Sequence, residues 1–159
     1  MSSQIPHAVT RGKPPRTPEE EAFLAIVLAS DALTRSVEQF LRRHGLSFAQ
    51  YNVLRILRGA GREGASCSQI GERLITSEPD VTRLLDRMDK HGWIRRERGA
   101  GDRRRVTTRI TAPGRKLLER LDEPVCRLHR RQFVPLAQDR IESLITALEE
   151  VRAGLTQAR

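Results

Sequence analysis

The segment from residue 66 to residue 114 constrains the fold of this chain more than any other. It begins with a short helix-like stretch, 66–75, and continues after a turn with a second one, 77–91, which Gly92 closes as glycine commonly does. Two strand-like stretches then flank a connection at 99–102, whose glycines and aspartate are typical of a turn. The order predicts helix, turn, helix, two antiparallel strands and the start of another helix.

The second helix of this segment is predicted to be amphipathic. Ser77 is its candidate N-cap, and Pro79 falls in the first turn, where its missing N–H costs nothing. Apolar residues recur at intervals of three, four and seven and mark the buried face: Val81, Leu84, Leu85 and Met88. The opposite face and its flanks carry Pro79, Thr82, Arg83, Asp86, Arg87 and Lys90. A solvated charged face would give the same pattern, so this helix alone does not define a function.

The strand pair that follows is strongly basic. Residues 95–109 contain seven arginines against Glu97 and Asp102, which gives a net charge of +5 over fifteen residues. Charged residues also protect sheet edges, so the charge alone could be a solvated edge. The arginines, however, crowd the hairpin tip and its flanks, and arginine is the residue that reads a narrow minor groove. The sequence thus predicts a mainly α fold, a winged helix-turn-helix with a two-stranded wing, whose second helix enters the DNA major groove.

The tip of this hairpin and the residues after it also carry a family resemblance. Residues 102–114 fit the pattern D-x-R-x-x-x-x-x-[LI]-T-x-x-G, which resembles the wing signature of the MarR family of bacterial transcription regulators. Residues 81–88 and 91–94 are similar to that family's recognition helix and its exit. The resemblance covers about residues 18–153. It implies a homodimeric regulator, most simply a repressor, that binds a pseudo-palindromic site on double-stranded DNA.

Individual residues of this unit are candidates for DNA contacts. Arg83 is the best candidate for reading a base, because its fork matches the acceptor pair on guanine. Arg104, the arginine of the wing signature, is the candidate for the minor groove. The full predicted set is Ser66, Ser68, Gln69, Ser77, Pro79, Thr82, Arg83, Arg87, Arg98, Arg103 and Arg104. The resemblance implies that Asp102 orients the wing against Arg83 or Arg87. It also implies that Asp86 holds Arg104 when DNA is absent.

Long apolar stripes lie on both sides of this unit. Thr17 and Pro18 begin a helix whose stripe is longer than one small domain needs to bury. After the wing, the apolar pattern resumes beyond Pro124, which should kink that helix rather than end it. A twofold dimer is the economical explanation. The predicted organisation is a flexible basic arm at 1–16, a dimerisation helix at 17–45, the DNA-binding unit at 46–111 and C-terminal dimerisation helices at 112–159.

The overall charge favours a polyanionic partner. The chain carries 29 basic and 20 acidic residues, a formal net charge of +9, and most of the basic residues are arginine. Such a charge suits nucleic acid or an anionic membrane surface and does not choose between them. No stretch is long and apolar enough to span a bilayer, and the N-terminus lacks the apolar core of a signal peptide, so a cytoplasmic protein is expected.

The resemblance also implies a small effector, with phenolic compounds as one class, bound between the dimerisation helices and the DNA-binding unit. The candidate contacts are His44, Phe48 and Tyr51, because they flank one helix junction. Ordinary packing at that junction would place the same residues there. The position of the effector site is therefore a hypothesis that the fold must test.

Few residues suggest other chemistry. No catalytic motif or cofactor signature is present, so neither an enzymatic activity nor a cofactor is expected. A thiol- or metal-responsive sensor on the same fold is the alternative, with Cys67 at a helix start, or with Cys126, His129 and His44 as a partial metal site. An RNA-binding domain, a protein-interaction domain or an accessory domain of an enzyme could carry the same basic face.

Overall fold

A computed structural model of the chain describes residues 17–75, 78–98 and 106–157. These residues form six helices: α1 (Pro18–Arg42), α2 (Phe48–Ala60), α3 (Cys67–Arg73), α4 (Val81–Lys90), α5 (Ala112–Phe133) and α6 (Gln138–Gln157). They also form three strands: β1 (Ala65–Ser66), β2 (Ile94–Arg98) and β3 (Val106–Ile110). The element order is that of the predicted winged helix-turn-helix between long helices, so the predicted fold class is confirmed.

Helix starts follow the capping residues that the sequence shows. Thr17 Oγ1 accepts the N–H of Glu20 at 3.2 Å and begins α1. At the start of α2, Ser47 Oγ accepts the N–H of Gln50 at 3.2 Å, and Gln50 Oε1 accepts the N–H of Ser47 at 2.8 Å. This reciprocal pair satisfies two N–H groups that would otherwise lack partners. The chain turns between the two helices at Gly45, whose φ of 75° suits glycine.

The predicted start of the recognition helix is wrong by one turn. The helix α4 begins at Val81, and Asp80 rather than Ser77 is its N-cap, with Asp80 Oδ1 accepting the N–H of Arg83 at 3.0 Å. Pro79 therefore lies in the turn before the helix. Two good capping residues three positions apart competed for one helix start, and sequence alone does not rank serine against aspartate there. Ser77 lies outside the described residues.

The core joins α4 to the other helices of the unit. The predicted stripe of α4 is buried through Leu84, Leu85 and Met88, whereas Val81 is half-buried. The largest fully buried side chains are Leu41, Leu46, Val53, Leu54, Leu57, Ile70, Leu84, Leu85, Met88, Ile94, Leu118 and Leu121. They come from α1 to α5, from the connection between α1 and α2 and from β2, so one apolar core fixes the orientation of the recognition helix. Burial of side chains of this size contributes roughly 1.5–3 kcal/mol each.

The sheet contains one strand more than the sequence predicted. The strands β2 and β3 pair antiparallel as expected, with Ile94 opposite Ile110 and Arg96 opposite Thr108. The two residues of β1 pair with the other edge of β3. A strand of two residues has no alternating pattern to recognise. It can approach because Gly64 precedes it: any Cβ at that position would overlap the carbonyl oxygen of Thr108.

The wing is fastened to the start of α5 by Thr111. Its hydroxyl donates to the carbonyl oxygen of Gly92 at 2.6 Å, and its N–H donates to the carbonyl oxygen of Trp93 at 3.1 Å. The same hydroxyl oxygen accepts the N–H of Gly114 at 3.2 Å and so caps α5. At Gly114 the helix lies so close to Trp93 that a Cβ would overlap the Trp93 carbonyl oxygen. The residues that follow the recognition helix and those that begin α5 are thus bonded to each other, and we call this contact of Gly92 and Trp93 with Thr111 and Gly114 the joint.

The two C-terminal helices leave a large surface uncovered. As predicted, α5 continues through Pro124 instead of ending there. In α6 only Ile141 and Leu148 are half-buried among the side chains that the structure describes, and all the others are exposed. None of the helices in the described ranges is both long and apolar enough to cross a membrane.

Candidate nucleic-acid interface

The outward face of α4 is polar, exposed and mostly cationic. Thr82, Arg83, Asp86, Arg87 and Lys90 are exposed, while the opposite side of the helix lies in the core. A short helix with one face fully buried cannot rotate about its axis without exposing leucine. The outward side chains are therefore presented in a fixed direction, as a helix that enters a groove requires.

Arg83 on this face forms an ion pair and still remains largely exposed. Its Nε lies 3.0 Å from Asp80 Oδ2, and 83% of its side chain is exposed. Within the described part of the chain, Arg87 and Lys90 have no ion-pair partner. The face thus combines one oriented guanidinium with two cations that are available to phosphate oxygens.

The start of α3 is held together by its own polar side chains. Ser66 Oγ accepts the N–H of Gln69 at 3.2 Å, and Gln69 Oε1 accepts the N–H of Ser66 at 2.9 Å, which is the capping pair expected from the sequence. The hydroxyls of Ser66 and Ser68 lie 3.0 Å apart. Of the three predicted phosphate contacts, Ser68 and Gln69 are exposed and Ser66 is half-buried. Ser66 and Gln69 thus have a demonstrated structural role besides the proposed one.

Two wing arginines are engaged at the base of the hairpin. Arg95 and Arg109 face each other across the strands, an unfavourable pairing of like charges. Glu97 lies between them, with Oε2 at 2.6 Å from Arg109 Nη1 and Oε1 at 3.9 Å from Arg95 Nε. Arg109 Nε also donates to the carbonyl oxygen of Arg62 at 2.7 Å. The sequence shows these arginines only as wing charge, whereas in the structure Glu97 offsets the charge of Arg109 and lies near Arg95. Glu97 follows Arg95 by two positions on the same strand, and this spacing is the only sign of the arrangement in the sequence.

A third arginine connects the wing to the recognition helix. Arg96 of β2 forms an ion pair with Asp86 of α4, and its side chain is only 21% exposed against 51% for Asp86. Its Nε is buried and has no hydrogen-bond partner among the described residues. Arg96 was absent from the predicted site. The partner implied for Asp86 was Arg104, but in the described residues Asp86 is held by Arg96.

Several predicted contacts fall on parts of the chain that the structure does not describe. Ser77, Asp102, Arg103 and Arg104 lie outside the described residues, as does the side chain of Arg98. The predictions that Arg104 enters the minor groove and that Asp102 orients the wing therefore stay predictions. The strand β2 ends at Arg98 and β3 begins at Val106, and the predicted tip between them lies outside the described residues.

The three predicted effector contacts do not line one cavity. His44 lines an open cleft of about 860 Å³ together with Trp93, Pro113, Lys116 and Arg120. Phe48 lines a separate cavity of about 290 Å³. Tyr51 is 4% exposed and belongs to the core, where burial raises the pKa of its hydroxyl. Tyr51 turns inward because it packs in the same apolar cluster as Leu46.

The residues considered for thiol or metal chemistry are scattered. Cys67 and Cys126 are free and half-buried, and Cys67 Sγ lies 3.7 Å from the hydroxyl of Thr82. His129 Nδ1 lies 2.9 Å from Gln132 Oε1. Within the described ranges, no three His, Cys, Asp or Glu side chains are grouped so that they could hold a metal ion.

The fold and the exposed cationic helix together define a winged helix-turn-helix DNA-binding protein. The sequence model of the MarR family matches residues 44–105. The regulator PecS of Dickeya dadantii is 30% identical over 128 residues, which cover 80% of this chain and 77% of PecS. This chain belongs to the MarR family of transcription regulators.

Two further comparisons agree with this assignment. The transcriptional regulator TtmR of Methylorubrum extorquens is 33% identical over 68% of this chain; the match covers 54% of TtmR, so the chain spans about half the length of that relative. The crystal structure of a MarR transcription factor from Planctomyces limnophilus is 38% identical, with a TM-score of 0.67 over 86% of this chain and 98% of that one.

We expect the ion pair between Asp86 and Arg96 to stabilise the unit. Asp86→Asn leaves a largely covered guanidinium without its carboxylate, so the free energy of unfolding should fall by roughly 1–2 kcal/mol. Arg96→Met should cause a similar loss, and the double variant should lose little more than either single one. Denaturant unfolding measures all three.

Asp89→Asn is the matched control for this prediction. Asp89 is exposed on the same helix and has no ion-pair partner in the described ranges, so its replacement should change stability by no more than about 0.5 kcal/mol. Losses that simply add in the double variant would show that the two side chains do not act as a pair.

Proposed function

We propose that the protein is a homodimeric repressor that binds an inverted repeat in double-stranded DNA and responds to a small anionic aromatic ligand. The observation that carries the proposal is the recognition helix, which presents an exposed cationic face beside a basic wing while its other face is locked in the core. One face of this helix thus serves folding, and the opposite face serves DNA binding.

The dimer rests on apolar residues that one chain leaves exposed. The large ones on α1 and α6 are Phe23, Ile26, Val27, Leu144, Ile145, Val151 and Leu155. Seven large apolar side chains exposed on two helices are more typical of an interface than of a monomer surface. A helix as long as α6, with almost no packing of its own, also needs a second surface to stabilise it. The proposed interface is therefore formed by α1 and α6 of both subunits.

The effector site is proposed at the cleft rather than at the three residues predicted from sequence. His44, Lys116 and Arg120 bring nitrogen groups that suit a carboxylate or phenolate, and Trp93 supplies an aromatic wall. Glu119 also lines the cleft and offsets one of the two formal positive charges. Trp93 belongs to the joint with Thr111, and its ring stacks on His91 at the end of α4, with centroids 4.6 Å apart. A ligand against Trp93 would thus act on the residue that ends the recognition helix.

The proposed dimer can be tested by light scattering at micromolar concentration. We expect twice the chain mass of 18.1 kDa. Val151→Asp places a charge in the middle of the exposed stripe of α6 and should shift the protein towards monomer. Ala153→Asp adds the same charge on the opposite side of the helix and should leave the dimer intact. A wild-type protein of single chain mass would contradict the proposal.

The proposed operator can be tested by footprinting followed by titration. Two recognition helices related by a twofold axis require half-site centres about 10 bp apart, so we expect a protected inverted repeat with flanking A·T-rich steps. Arg104→Ala should weaken binding by roughly 1–3 kcal/mol without changing the unfolding temperature. Binding should also fall steeply between 50 and 200 mM salt, by ~10³–10⁵-fold if six to ten phosphates are contacted. A protected site without a dyad, or a flat salt response, would contradict this mode of binding.

The proposed effector site can be tested by calorimetry with a panel of phenolic acids. We expect at least one to bind and to lower DNA affinity. Lys116→Ala removes one cation of the cleft and should weaken that ligand about tenfold. Arg115→Ala is the control, because Arg115 is exposed next to Lys116 but does not line the cleft. Equal effects of the two variants, or no binder in the panel, would count against this site.

A further inference from the structure

Asp80, the N-cap of the recognition helix, contacts Arg83 through both of its carboxylate oxygens. One carboxylate oxygen of Asp80, Oδ1, accepts the main-chain N–H of Arg83 at 3.0 Å. The other, Oδ2, lies 3.0 Å from Nε of the Arg83 side chain. The backbone contact is ordinary capping. The side-chain contact is not needed for capping, and it restricts a guanidinium that is otherwise 83% exposed.

The contact leaves the recognition edge of Arg83 available. A guanidinium has five N–H donors in a rigid planar fork. Asp80 Oδ2 lies 3.0 Å from Nε, so the ion pair is on the Nε side of the fork. The four donors on the two terminal nitrogens remain, and they can match the O6 and N7 acceptors of guanine. A long side chain that is already restricted loses less conformational entropy when it binds.

We propose that Asp80 is a positioning residue for base recognition: it holds Arg83 so that its terminal nitrogens face a guanine edge in the major groove. The proposal rests on the proposed role of Arg83 in reading DNA. Asp80 also opposes binding to DNA in general, because its negative charge lies on the helix that faces the phosphates. It thus lowers affinity for all DNA while it sharpens the preference for one base.

The two roles of Asp80 can be separated by substitution. Asparagine is as good an N-cap as aspartate, so Asp80→Asn keeps an oxygen for the N–H of Arg83. Its side-chain nitrogen is a donor without negative charge, so it cannot replace the second carboxylate oxygen beside Nε. Asp80→Ser is a second variant of the same kind, since serine also caps well. Asp89→Asn makes the same change in net charge on the same helix and is the matched control.

The experiment compares binding to the footprinted operator, to operators with one base pair changed, and to unrelated duplex DNA. Arg83→Ala identifies the guanine, because discrimination at that position alone should fall by about 5- to 150-fold. Asp80→Asn and Asp80→Ser should lower discrimination at that same position by about 2- to 5-fold, the range for an exposed ion pair. Their affinity for unrelated DNA should stay the same or rise, and the unfolding temperature should be unchanged. In an Arg83→Ala background, Asp80→Asn should have no further effect on discrimination.

Each other outcome overturns the proposal in a distinguishable way. If Arg83→Ala leaves discrimination intact at every position, Arg83 reads no base, and both its proposed role and that of Asp80 fail. If Arg83→Ala loses discrimination but both Asp80 variants keep it, only the positioning role fails. If the Asp80 variants weaken all DNA binding equally and lower the unfolding temperature, Asp80 is a cap alone. An effect of Asp89→Asn as large as that of Asp80→Asn would assign the change to net charge.

Discussion

The position of the DNA-binding surface depends on the hydrogen bonds of Thr111. This one residue binds two consecutive carbonyl groups at the exit of the recognition helix and caps α5 with the same hydroxyl. Gly114 allows the close approach, since any larger residue would overlap the Trp93 carbonyl. The wing, the recognition helix and the longest C-terminal helix therefore meet at a junction with little freedom, and a displacement of α5 must be transmitted to α4.

Local patterns predicted most of this fold because they depend on neighbouring residues alone. The cap pairs at Ser47 and Ser66 and the buried stripe of α4 follow from spacing, and they are confirmed. The start of α4 was misplaced because Ser77 and Asp80 satisfy the same local rule. The strand β1 was missed because two residues carry no pattern, and its pairing with β3 depends on a contact over forty positions.

The sequence predicted the residue composition of the candidate site, but it did not predict which acidic residue contacts which arginine. Sequence showed an excess of arginine, yet it could not say which arginines are neutralised. In the structure Asp80 engages Arg83, Asp86 engages Arg96 and Glu97 engages Arg109. Asp80 and Arg83 lie within one helix turn, so sequence spacing can suggest their contact. The other two pairs join a helix to a strand and two opposite strands, and spacing does not reveal them. Pairing alone does not mark an arginine as structural: Arg96 and Arg109 are largely covered, whereas Arg83 stays 83% exposed beside Asp80.

In the proposed dimer, the exposure of α6 would link folding to the amount of protein that a cell makes. When a helix is covered only by a second chain, its folding free energy includes the free energy of association and depends on protein concentration. A scarce regulator would then lose ordered structure and DNA affinity together, since each operator half-site alone offers half the contacts. Occupancy of the operator would rise more steeply than in proportion to the copy number of the chain. The uncovered surface of α6 would in this way make operator occupancy sensitive to the expression level of the regulator.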